Sequence, residues 1–82
     1  MEGKVKTLTP TLDELYLQYH NFVRIKGHYP STIVVNPLDY EVMIKEIEPR
    51  VISAIFDVWH RTFNGTQILR SEDVKQGTFK IA

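Results

Sequence analysis

Histidine is the residue in which chemistry is sought first, and the chain has three: His20, His28 and His60. As a general base or a metal ligand a histidine needs partners of fixed type and spacing. No two of the three lie three or four residues apart, and none stands in a carboxylate cluster with metal-ligand spacing. They read as surface histidines, with His60 at a helix C-terminus, where positive charge is welcome. Acyl transfer would need a nucleophile, a base and an orienting acid. Ser31, Ser53 and Ser71 lie in no nucleophile-elbow pattern, and capping and turn roles account for Asp39 and Asp73. Gly3, Gly27, Gly65 and Gly77 are too scattered to cradle a phosphate. The Asn64-Gly65-Thr66 sequence matches a glycosylation acceptor, but with no secretory leader it reads as a turn. The expectation is therefore no catalytic, cofactor-binding or metal-binding residue, no cofactor and no enzymatic activity.

Composition narrows the remaining classes. A chain of 82 residues predicts one domain, 1–82. Ten basic residues balance ten acidic ones, so a general nucleic-acid partner is not expected. The absence of cysteine excludes disulfides and thiolate metal sites within these residues and fits a cytoplasmic home. No apolar run approaches the 18 or so residues that span a bilayer, and "MEGKVKTLTP" lacks the apolar core of a signal peptide, so no membrane partner is expected.

The elements that must position these residues follow from periodicity and caps. Residues 1–8 read as a loose N-terminus or an edge strand. A helix then opens either with a Thr11/Glu14 capping box or with Thr9 as cap and Pro10 in the first turn. Leu12, Leu15, Tyr16, Tyr19, Phe22 and Val23 form its apolar face, and Lys26-Gly27 ends it. Thr32 to Val35 is apolar without polar alternation, which predicts a central strand covered on both faces. Asn36 caps the next helix, Pro37 fits its first position, and Asp39 meets its dipole. An anion could sit at such a helix start, but Asp39 already supplies the negative charge. Pro49 interrupts the helical pattern, which leaves one kinked helix or, the favoured reading, a separate helix over residues 50–61. Residues 66–69 and 78–81 read as a strand hairpin. The sum is an α+β fold, a small mixed or antiparallel sheet of three to four strands under about three helices.

One excess stands out. Tyr40, Met43, Ile44, Ile47, Val51, Ile52, Ile55, Phe56, Val58 and Trp59 are more apolar surface than two short helices and a small sheet need. Such a surplus marks contact with another chain, and Ile52, Ile55, Phe56 and Trp59 are the expected interface.

Two segments also resemble a known family. "YPSTIVVNPLDYEVM" resembles the part of tailed-bacteriophage major capsid proteins and their encapsulin relatives in which a buried strand ends in Asn-Pro and a helix follows. "FNGTQILRSEDVKQGTFKIA" is similar to the hairpin that follows in those proteins, with a Gly-led strand, a Ser-x-Asp turn and a Gly-x-Phe final strand. With the preceding helix, the resemblance covers about residues 11–82 and concerns the axial domain of the shell subunit. A full subunit is several times longer, with an arm, an extended loop and a spine helix that this sequence lacks. The resemblance implies an axial-domain-like fold in which Asn36, Pro37 and Asp39 form a structural corner and Gly65, Ser71, Asp73 and Gly77 punctuate the hairpin. It further implies a phage- or prophage-derived structural protein of host cytoplasm or virion, whose partners are itself, as a homo-oligomer or ring, or other phage structural proteins. The alternative is a small regulatory protein-binding module, a phage adaptor or inhibitor on the same fold.

Overall fold

In the computed structural model, residues 10–47 and 55–82 are described. Expectations for residues 1–8, for Thr9 as a cap, and for Val51, Ile52 and Ser53 lie outside them. The described residues form a small α+β domain of two helices and one mixed five-stranded sheet. In chain order the elements are α1 (Pro10–Lys26), β1 (Thr32–Val35), α2 (Pro37–Ile47), β2 (Phe56–Asp57), β3 (Thr62–Phe63), β4 (Thr66–Arg70) and β5 (Phe79–Ile81).

The sheet order is β2-β3-β4-β1-β5. β1 pairs in parallel with β4 and antiparallel with β5, so the apolar strand does take a central place. The hairpin expected between the last two strands is absent, because β1 lies between them. The 71–78 loop carries the chain across β1, and the Ser71 N–H donates to Val35 O as it leaves β4.

Side chains on one face of β1 and its neighbours build the core. Ile33 and Val35 are fully buried and join Ile68, Phe56 and Phe63 beneath Leu15 and Tyr19 of α1 and Tyr40 and Met43 of α2. The ring of Tyr19 meets Phe63 edge-on at 5.8 Å, and that of Tyr40 meets Phe56 likewise at 5.8 Å. Register places Thr32, Val34, Gln67, Leu69 and Lys80 on the opposite face. Neither described helix covers that face: Thr32 and Val34 are half-buried, and Gln67, Leu69 and Lys80 are exposed. Among the described residues, β1 is thus covered by helices on one face, not two.

The helix expected over residues 50–61 is replaced, in its described part, by β2 and a turn. Asn64 and Gly65 both adopt left-handed backbone angles (φ 52° and 85°), as a two-residue hairpin turn requires, and Asn-Gly is well suited to both positions. That turn pairs Phe63 with Thr66 and Thr62 with Gln67. β3 then pairs back onto β2, with Phe56 opposite Phe63. Arg61, at φ 54°, ends any helical run before β3.

Helix ends are held by tertiary contacts as well as local ones. α1 begins at Pro10, and the Thr11/Glu14 box is not formed. Instead Glu46, near the end of α2, accepts the Thr11 and Leu12 N–H groups, each at 2.9 Å. Its carboxylate thereby satisfies two donors that a helix start leaves open and sits at the positive end of the dipole. Glu14 instead accepts from the Gln18 amide. The Gly27 N–H closes α1 on Val23 O.

Candidate functional site

The corner after β1 is closed on itself. Asn36 Oδ1 accepts the Leu38 N–H at 2.9 Å, the capping bond its position predicts, while its Nδ2 donates to Val74 O at 2.9 Å. Asp39, in the first turn of α2, accepts the Gly77 N–H at 2.7 Å. Gly77 has φ 85°, so this bond depends on a backbone shape that side chains disfavour. The loop side is also self-bonded. Ser71 Oγ accepts the Asp73 N–H, and Thr78 Oγ1 donates to Lys75 O. The structure therefore joins the corner to the 71–78 loop, and the side chains of Asn36, Asp39, Ser71 and Thr78 are bonded in doing so. Gly65 is elsewhere, in the β3–β4 turn.

A second polar cluster lies between α1 and the β3–β4 turn. The Tyr19 hydroxyl and Thr66 Oγ1 are 3.4 Å apart, and Thr66 Oγ1 donates to Pro30 O at 3.3 Å. They open onto a cleft of about 430 Å³ that Tyr29 and Asn64 also border. Among the described residues no charged side chain borders it. His28, near by in sequence, packs against Phe22 and bonds through Nδ1 with its neighbour's carbonyl, Tyr29 O.

The turn from β2 to β3 is built differently. Asp57 Oδ2 lies 2.6 Å from His60 Nδ1, and Asp57 Oδ1 accepts the His60 N–H at 3.2 Å. The bond from the His60 ring holds the Asp57 carboxyl below the ordinary value of 3.8. This i, i+3 pair is legible in the sequence, yet a helical reading of residues 50–61 hides it. His60 stands in this turn, not at a helix end. An Asp–His pair can orient an imidazole for general-base work, but among the described residues no hydroxyl is bonded to its other ring nitrogen. Among the described residues, moreover, no three His, Asp or Glu side chains gather as a metal site.

Behind this turn, Tyr40 is 4% exposed, and its hydroxyl has no hydrogen-bond partner among the described residues. Burial pushes its phenol above the ordinary value of 10.0, against the pull of Arg61 and Arg70. The Arg70 guanidinium lies over the Tyr40 ring at 5.4 Å.

Of the expected interface residues, Phe56 is 1% exposed, a core residue packed on Tyr40, and so not a surface for a partner. A strand alternates its side chains between two faces, which sends Phe56 inward and Asp57 outward. Ile55 is exposed at the entrance to β2, and Trp59, in the turn, is 71% exposed. Leu69 lies on the uncovered sheet face and is 46% exposed. At the β5 end of that face is a groove of about 420 Å³, bordered by Val34 and Val74 with Asp73, Lys75 and Lys80 around it. Sequence reasoning missed this face, since strand order decides which side of β1 a helix covers.

Among the described residues no helix is long and apolar enough to cross a membrane. Compared with models of known families, with curated proteins and with solved structures, the chain finds no match.

Proposed function

We propose that this chain is a phage- or prophage-derived structural protein, resembling a capsid axial domain, that acts in host cytoplasm or virion through protein–protein contacts and carries no catalytic centre. The observation that carries the reading is the uncovered sheet face, with Val34 and Leu69 at its middle and the exposed Trp59 in the turn at its β2–β3 end. Large apolar side chains left exposed, such as Leu69 and Trp59, favour a protein partner. The Asn36–Asp39 corner, which the resemblance implies to be architectural, supports the same reading, because the side chains of Asn36 and Asp39 bond to the fold itself. The first partner proposed is the chain itself. Light scattering coupled to gel filtration tests this, with rings of five or six subunits, or larger assemblies, expected. A monomer at every concentration overturns self-association and leaves the adaptor reading, in which the same face takes a different protein.

A further inference from the structure

We propose that copies of this chain associate head to tail, with Trp59 of one copy seated in the groove of the next. This rests on the self-association reading and names its contact.

The two parts sit at opposite ends of one sheet. Trp59 lies in the turn that joins β2 to β3, and β2 is one edge of the order β2-β3-β4-β1-β5. The groove lies against β1 and β5, at the other edge, roofed by the 71–78 loop. Four strand spacings of about 4.8 Å put the two edges roughly 19 Å apart. A knob and a socket that far apart on one molecule do not fill each other, but they join successive copies in the same sense. Such a heterologous contact closes into a ring or runs on as a filament.

The chemistry matches as well. The groove is an open depression of about 420 Å³ on the surface, which leaves room for an indole ring to lie against it. Val34 and Val74 offer it apolar contact, and Lys75 and Lys80 on its rim can face the indole ring as cations. Beside Trp59 stand Asp57, His60 and Arg61, and around the groove stand Lys75, Lys80 and Asp73. Both surfaces carry mixed charge, and pairing Asp57 with the lysines and Arg61 with Asp73 would select one orientation.

Trp59 is the only tryptophan, so its emission reports its own burial. A dilution series followed by light scattering and tryptophan fluorescence should show the mass rising and the emission moving to the blue over one concentration range. Lys75→Glu/Lys80→Glu and Trp59→Ser alter exposed side chains, and circular dichroism checks that each variant is folded. Each should weaken association by about ten-fold or more, the loss of a central contact. Mixed together, the two variants retain one intact junction and should form dimers but nothing larger. If the wild type assembles while its emission stays that of an exposed indole, or if the lysine variant assembles as well as the wild type, the contact is wrong and self-association stands. An emission already blue in the monomer, as when another segment of the same chain covers Trp59, also overturns the contact. A wild type that stays monomeric throughout overturns both.

Discussion

The chain bends sharply at Asn36–Asp39 and again at Val58–Arg61, and the two bends use their polar groups in opposite ways. At the first, Asn36 and Asp39 each bond to backbone 38 residues further on. At the second, the Asp57 side chain bonds within its own turn, to the ring and the N–H of His60 three positions away. Long-range bonds of the first kind exist only when the whole domain is folded, so their loss is felt globally. Local bonds of the second kind shape the turn, in which Val58 packs against the core while Trp59 stays exposed. The difference explains how one bend can be architecture while the other is free to serve contact.

The strongest test of that division lies within the second bend, between its inward and outward rings. Phe56→Ala or Phe63→Ala empties a fully packed position and should cost about 3–5 kcal/mol in urea unfolding. Trp59→Ala, a few residues away, should stay within about 0.5 kcal/mol, as exposed positions do. A large loss from Trp59→Ala would mean that this bend, too, is part of the core.

At the first bend, Asn36→Ala removes both the helix cap and the bond to Val74 O and should cost about 1–2 kcal/mol. Glu46→Ala opens two N–H groups at the start of α1 and should cost about 1 kcal/mol. A further check is hydrogen exchange at Thr11 and Leu12, which should quicken in the Glu46 variant alone.

Tyr40→Phe should act in the other direction, because it deletes a buried hydroxyl that has no partner among the described residues. A gain of up to about 1 kcal/mol is expected. Its raised pKa also fixes a sign. The folded state keeps its phenol proton to higher pH than the unfolded chain, so wild-type stability falls as pH rises beyond 10.0. Tyr40→Phe should lack that part of the alkaline loss. Equal alkaline losses in both proteins would show that the phenol is not the group responsible.

How far the sequence could be read depended on how local each cause is. α1, β1, the first part of α2 and the Asn36 cap are set by periodicity and neighbouring residues, and they were legible. The strand at residues 66–69 was legible as well, but its partner was not. Pairing with β1 is decided by what else the sheet must bury, and β1 offers Ile33 and Val35 to the core. β2 and β3 have two residues each, too few to show a strand period. The spacing of Ile55, Val58 and Trp59 meanwhile fits one face of a helix, and that pattern won over the hairpin signal in Asn64-Gly65. The cap on α1 comes from Glu46, about 35 residues away, where no local motif announces it. For the surface, Trp59 was recognised, but the groove and the bare sheet face depend on strand order and could not be.

The smallest expected effect belongs to the Asp57–His60 pair, and its sign separates the two bends once more. Asp57 titrates below its ordinary 3.8 because the His60 ring bonds to its carboxylate. A lowered carboxyl pKa stabilises the folded state above pH 3.8, and that contribution disappears as pH falls through the lowered value. The His60 side chain is 77% exposed, so solvent screens the pair and the change in stability should be slight. The cleaner readout is the carboxyl resonance of Asp57. In His60→Ala its midpoint should move up toward 3.8. If Asp57 titrates alike in both proteins, the pair does not set its charge. If the Gly77 N–H, which donates to Asp39 in the other bend, exchanges faster in His60→Ala as well, the two bends are coupled, and the division between them fails.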